Sequence, residues 1–482
     1  MNVVPLAAST PAEQGVDSRG VGAFLDAVEA AADIEPHSLM LLRHGRLVAS
    51  GWWAPYTAGR PHLLYSLSKS FTSTAAGLAA ADGLLRLDDP VISYFPEFAA
   101  EITAPGSRAM LVRHIASMAS GHVADTWERA RALDPDEPVR GFLLIPPDRE
   151  PGTVFAYNQS ATYTLAAIVQ RVTGRSLTDY LRARLFGPLG IGETAWQQHP
   201  AGRDLGFTGL FAATDAVARL GLLYLQGGVW SGKEVLPPWW AAEATRSHVS
   251  NADGTPEGAE SDWQQGYGFQ FWRSRHGYRG DGAYGQFCLV LPEHDAVIAM
   301  TAATEQMQDL LNLVWQHLLP ALRTAPLSAR PGEDEALRDR LARLRLPPVH
   351  PQPARLADPG AWSGAEFTPA GGVCADQPSL TGITVTADGA AGWTAHLADD
   401  GSPLSLRFGR PGWTIGEGPV PTAVSGGWTD PGTLIVDVAF LETPHHLVVT
   451  CSLASRTFRA RWRTMPLSRG PLRSFRAPHL PG

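Results

Sequence analysis

The stretch LLYSLSKSFTSTAAGLAAADGL, residues 63–84, is where the reading of this chain begins. An apolar run leads into Ser66, Leu67, Ser68 and Lys69, and small and apolar residues of helical character follow. A helix starting near Ser66 sets Ser66 and Lys69 one turn apart on one face, with roughly 5–6 Å between their Cβ atoms. A hydroxyl and an amine then meet over the first turn, where backbone N–H groups are free and the helix dipole favours negative charge. S-x-x-K also arises by chance, so the surroundings have to decide. Lys69 and Lys233 are the only lysines in a chain with 39 Lys and Arg together. Arginine cannot readily release its proton to act as a base. Arg outnumbers Lys throughout, and Ala, Pro and Gly are abundant, so general composition accounts for part of that contrast. Thr72 to Ala81 carries no charge, which predicts a buried helix and an amine whose pKa is lowered by desolvation.

At 482 residues, 44% hydrophobic and 18% charged, the chain has material for a large core and more than one domain. A formal net charge of -8, without a basic patch interleaved with aromatics, argues against nucleic acid as a partner. Cys288, Cys374 and Cys451 are widely spaced and suggest neither a disulfide framework nor a metal site. The N-terminus does not read as a signal peptide, and no apolar run reaches transmembrane length. The expectation is a cytoplasmic protein without cofactor or metal, not bound to membranes, and open to forming a homo-oligomer.

Outward from residues 63–84, a helix is expected from Gly20 to Ala32, with Ser18 near its cap. Ser38–Leu42 and Leu47–Trp53 flank RHGR as a hairpin with Gly45 in the turn. Residues 85–205 lack strand alternation and read as a helical lobe, with helices at Met110–Ala119, Tyr163–Thr173 and Leu177–Phe186. Further helices are expected at Asp215–Leu225, with Thr214 as its cap, and at Pro237–Ala244. Strands return at Tyr267–Trp272, Tyr284–Leu291 and Ala296–Thr301, followed by a helix over Gln306–Leu322. This is an α+β pattern, an antiparallel sheet carrying its first and last helices on one face with the helical lobe beside it. The charged helix Asp334–Leu344 closes a first domain over residues 1–346. PPVHPQPARLADPG, within 347–360, reads as a linker. Beyond it, residues 361–482 alternate at period two between Gly-, Asp- and Pro-rich turns, which predicts an all-β domain.

Two further stretches could serve Ser66. PGTVFAYNQS, residues 151–160, offers Tyr157, Asn158 and Gln159 before a helix. A phenol beside a cationic lysine can be held as phenolate and shuttle the serine proton. Taken alone, the stretch favours a tyrosine buried for packing and an Asx turn at Asn158. YRGDGAYGQF, residues 278–287, is rich in small residues that let backbone approach a substrate, and a strand N–H there could oppose the N–H of Ser66 as an oxyanion donor. A tight turn before an edge strand explains it equally well.

YSLSKSFTS, LVRHIASMASGH (111–122), PGTVFAYNQSATYTLAAIV, LFGPLGIGET, GLFAATDAVARLGLLYLQGG and GQFCLVLPEHDAVIAM follow one another in an order that resembles the serine β-lactamase-related superfamily. That superfamily includes class C β-lactamases, DD-peptidases, esterases and hydrolases of nylon-type oligomers. The resemblance covers residues 15–325. It implies Ser66 as nucleophile, Lys69 as its lysine, and Tyr157 as the tyrosine of Y-x-N, whose third place holds Gln159. It implies an oxyanion site near Gly282 and Ala283. The usual K-T-G or H-x-G falls on Gly280-Asp281-Gly282 without its leading cation, which weakens a β-lactamase or DD-peptidase reading more than hydrolysis itself. Asn158, His276 and Arg279 are candidate pocket residues; Ser68, His114 and His122 are expected to be structural. The implied activity is hydrolysis of small esters or amides through an acyl-enzyme. The alternatives are a β-lactamase or DD-peptidase, or a degenerate homologue that only binds a ligand or partner.

Overall fold

The computed structural model describes residues 5–348, 359–388 and 392–478. The hairpin around RHGR forms as strands β1 (Glu35–Arg43) and β2 (Arg46–Trp52), with His44 and Gly45 at positive φ in the turn. With β3 (Trp272–Arg273), β4 (Tyr278–Gly282), β5 (Gln286–Leu291) and β6 (Ala296–Ala303) they make an antiparallel sheet of order β2-β1-β6-β5-β4-β3. Tyr267–Trp272, expected as a strand, is mainly loop, and only Trp272 joins β3. The cause is Gln270, which sits at φ 64° and breaks the extended run.

The central strands read as unbroken apolar runs because both faces of the sheet are covered. Leu39, Leu41, Leu289 and Ile298 pack with Phe24 and Leu25 of helix α1 (Ser18–Ala30) and with Leu310 and Val314 of the helical stretch Met307–Leu318. Met40, Leu42, Val290 and Val297 point the other way, toward helix α2 (Ser68–Ala81) and the helix Thr214–Leu225. Asp17, one residue before the expected Ser18, caps α1 by accepting a hydrogen bond from the Arg19 N–H. Every side chain of α2 from Ser68 to Ala79 is buried, as its lack of charge predicted. A run of helices from Val91–Tyr94 to Gly187–Leu189 makes the helical lobe. Its longest helix, α3 (Gln159–Thr173), starts four residues earlier than expected because the Asn158 side chain caps it, accepting from the Ser160 N–H at 3.0 Å. Among the described residues no helix is long and apolar enough to cross a membrane.

The C-terminal domain is all β, a nine-stranded sheet between Ala365 and Trp462. Its neighbours are antiparallel except Ala365–Pro369 with Thr457–Trp462, which run parallel. Trp362, Phe367, Leu397, Val436 and Phe458 belong to its own core. The linker expected over 347–360 falls mostly on 349–358, outside the described residues. The β domain packs against the first domain beside residues 63–65. The Leu63 N–H donates to the Glu442 carbonyl at 2.8 Å, the Trp413 indole to the Leu346 carbonyl at 3.1 Å, and the Tyr284 hydroxyl to the Met465 carbonyl.

Candidate active site

Ser66 lies in a single 3₁₀ turn, Tyr65–Leu67, that leads into α2. The α-helix proper therefore starts two residues later than the sequence suggests. The turn is entered through Tyr65 at φ 48°, a conformation that costs a bulky residue on the order of 1–3 kcal/mol and needs support from its surroundings. Packing supplies it: the Tyr65 hydroxyl meets the imidazole of His445 from the β domain, and its ring stands edge-on to Tyr284. Strand β4 approaches the turn where its glycines fall. A Cβ on Gly282 would stand 2.1 Å from the Leu64 carbonyl oxygen, and one on Gly280 would stand 2.4 Å from Leu67 Cδ1. Gly282→Ala should therefore destabilise the protein by about 1–3 kcal/mol and slow acylation of Ser66 more than tenfold. Gly22→Ala, on α1 with open space around it, should leave both unchanged or raise stability slightly; thermal melts and ester turnover check the pair.

Lys69 is 1% exposed and its Nζ lies 3.2 Å from Ser66 Oγ, 2.6 Å from Gln159 Oε1 and 2.8 Å from the Phe207 carbonyl oxygen. Burial lowers its pKa to about 7, against the opposing pull of Asp125 and Asp281. As an ammonium, Lys69 donates to all three; once neutral, it can keep N–H bonds to the two carbonyl acceptors and turn its lone pair to the serine hydroxyl. Gln159, at the third place of the Y-x-N stretch, reaches the lysine with its amide oxygen.

The Tyr157 ring lies 4.8 Å from Lys69 Nζ and stacks on Trp272. Burial pushes its phenol well above the ordinary value, only partly offset by a hydrogen bond with Ser66. The phenolate expected from the sequence is disfavoured for that reason, and Tyr157 enters the site as a neutral hydroxyl.

Three pocket candidates lie elsewhere. Asn158 is fully buried and its Oδ1 also accepts from the Thr126 N–H and hydroxyl. Arg279 is fully buried beneath Trp263; it donates to Asp281 at 2.8 Å, to Ser274 Oγ and to the Asp262 carbonyl. Alternation along β4 turns it away from the glycine face that meets Leu64 and Leu67. His276 packs on Trp315. Ser68 is buried and bonds the Leu210 N–H, His114 closes a helix turn through the Leu111 N–H, and His122 bonds Ser120 and the Ile145 carbonyl.

A cleft of 710 Å³ opens above Ser66 and Gln159, walled by Trp127, Phe207 and Phe211 and, across it, by Leu467, Arg469 and Phe475 of the β domain. That domain thus forms one side of the mouth of the site. Asp281, in the middle of the altered third motif, is buried with a raised carboxyl pKa, because desolvation outweighs Arg279. The backbone of Phe207 carries no signal a sequence reader could use.

A family profile described as Beta-lactamase matches residues 24–319. The chain belongs to the beta-lactamase family. The 6-aminohexanoate-dimer hydrolase of Paenarthrobacter ureafaciens is 28% identical over 312 residues, covering 60% of this chain and 78% of that protein. Penicillin-binding protein 4 of Amycolatopsis lactamdurans is 28% identical over 308 residues, covering 55% and 80%. Among solved structures, SurE aligns with a TM-score of 0.50 at 19% identity, covering 87% of this chain and 93% of SurE. The likeness of fold in that case runs past the beta-lactamase domain into the β domain. Family and relatives together place the chain among serine-hydrolase, esterase-like enzymes.

Proposed function

We propose that this chain hydrolyses small ester or amide substrates through an acyl-enzyme on Ser66. The observation that carries the reading is the contact of Lys69 Nζ with Ser66 Oγ at 3.2 Å, by an amine whose pKa burial has lowered to about 7. Lys69 takes the Ser66 proton as Oγ bonds to the substrate carbonyl carbon. The oxyanion is received by the N–H groups of Ser66 and of Ala283 beside Gly282. Lys69, now protonated, returns the proton to the leaving group with the neutral Tyr157 hydroxyl as relay. Water, activated by the same amine, then releases the acid.

A β-lactamase or DD-peptidase reading is less well supported. Asp281 stands in the third motif where the resemblance has a cation, and the neighbouring Arg279 is fully buried and donates to it rather than facing the cleft. The name of the first relative, a 6-aminohexanoate-dimer hydrolase, keeps linear amides in the substrate class. Intact-mass detection of adducts across an ester, amide and β-lactam panel tests the proposal. Acylation at Ser66 by an ester or amide is expected. Adducts from β-lactams alone would move the chain to the second reading, and no adduct from any class would leave a binding protein.

A further inference from the structure

Where the two domains meet, Glu35 and His37 at the start of β1 face His446 at the start of the strand His446–Ser452. Glu35 Oε1 lies 3.1 Å from His37 Nε2 and 2.9 Å from His446 Nε2. The hydrogen-bond partners fix which ring nitrogens carry protons. His62 Nδ1 contacts the Leu63 carbonyl at 3.1 Å, which can only accept, so His62 is protonated there and its Nε2 is an acceptor. That Nε2 lies 3.1 Å from His37 Nδ1, which must therefore donate. His446 Nδ1 lies 3.3 Å from the carboxylate of Asp437 and donates in turn. In neutral rings, the remaining Nε2 atoms of His37 and His446 are bare lone pairs, and both face one oxygen of a carboxylate. The Tyr56 hydroxyl is the remaining nearby donor, 3.4 Å from His446 Nε2, and the Thr443 carbonyl competes for its hydrogen.

The net charge of the cluster is negative and admits a cation, a divalent ion leaving it with one positive charge. Arg463 spans Glu35 Oε2 at 2.7 Å and Asp437 Oδ2 at 2.6 Å, one positive charge against two negative ones. A single added proton on either ring would neutralise the cluster, but it would satisfy only one of the two imidazole contacts with Glu35 Oε1. One cation placed between the three atoms satisfies all of them. The three ligand atoms lie within 4.8 Å of one another. A tetrahedral ion with bonds of about 2.0–2.1 Å spaces its ligands about 3.3 Å apart, close to the two separations on Glu35, so binding draws the two imidazole Nε2 atoms toward one another.

We propose that Glu35, His37 and His446 form a divalent-metal site of the zinc type that joins the β domain to the beta-lactamase domain. The ligands are two imidazole Nε2 atoms and one carboxylate oxygen. Asp437 and His62 orient the rings from behind through the opposite nitrogens, the usual support for metal-bound histidine. Arg463 holds the second oxygen of Glu35 and leaves the first free to ligate. Glu35 and His446 also line a cavity of 450 Å³ with Asp33 and Thr464, which gives the ion a way in and a fourth position for water. The sequence offered no such site because its ligands come from opposite ends of the chain.

The test uses the full-length protein, stripped with a chelator and titrated with Zn²⁺ by calorimetry, with Co²⁺ as a visible reporter. One equivalent of tightly held zinc, a raised Tm and the visible absorption of four-coordinate cobalt are expected. His446→Ala and Glu35→Gln should each weaken binding more than about 100-fold, and His396→Ala, in the β domain and apart from the cluster, should not. If a ligand variant does not fold, the wild-type stoichiometry and cobalt spectrum still decide. Zinc that neither binds stoichiometrically nor shifts the Tm would show a proton network alone. An equivalent that persists in both ligand variants would place the metal elsewhere. Either result overturns the proposal and leaves acylation of Ser66 untouched.

Discussion

Ser66→Ala is expected to lower ester turnover by roughly 10⁴-fold or more and to remove the acyl adduct from the mass spectrum. The large effect follows from the kind of catalysis proposed. Without Oγ there is no covalent intermediate, and Lys69 has only water to activate, in a cleft shaped around a bound nucleophile. Stability should hardly change. Ser66 is half-buried at the floor of the cleft, its removal leaves a small polar gap open to solvent, and the strained Tyr65 next to it is held by His445 and Tyr284 rather than by the serine. A melt superimposable on that of the wild type, together with lost turnover, is the result to look for. Turnover at the wild-type rate with no adduct would mean that another group carries the reaction.

How much of this was legible beforehand depended on the range of the interaction. The hairpin, α2 and the central strands were readable because each is decided by its own apolar pattern, and Ser66 and Lys69 because one helical turn joins them. Tyr267–Trp272 failed as a strand at Gln270, whose positive φ has no marker in a side chain that is not glycine or asparagine. Arg279 points away from the site because strand alternation about Gly280 and Gly282 decides its direction, and residues 278–282 read as the turn before the next strand rather than as the strand β4. Gln159 was placed by motif, but its bond to the lysine amine depends on where α3 begins, and so on the cap at Asn158. The wall contributed by residues 467–475 and the Glu35–His37–His446 cluster depend on the docking of two domains, which no local pattern encodes.

Lys69→Met is expected to cost at least about 10³-fold in turnover, within the range for loss of a positioned base, and to change how stability responds to pH. In the folded protein the amine titrates at about 7, against 10.5 for an ordinary lysine. As pH falls through 10.5 the unfolded chain takes up a proton that the buried amine still refuses, so the unfolded state gains. Below about pH 7 both states are protonated and the difference is constant. The wild type should therefore gain stability relative to Lys69→Met as pH rises from 7 to 10.5, by on the order of 4–5 kcal/mol. Its acylation rate should rise through the same pKa near 7 as the lone pair becomes available. Methionine has similar length and no charge, so its own melt should lack this pH response, although it leaves Gln159 Oε1 and the Phe207 carbonyl without their N–H donor and pays for that at every pH. Denaturant melts of both proteins across that range separate the constant loss from the pH-dependent gain. Parallel stability curves would mean that the amine keeps its proton in the fold, and a protonated Lys69 could not serve as the base for Ser66.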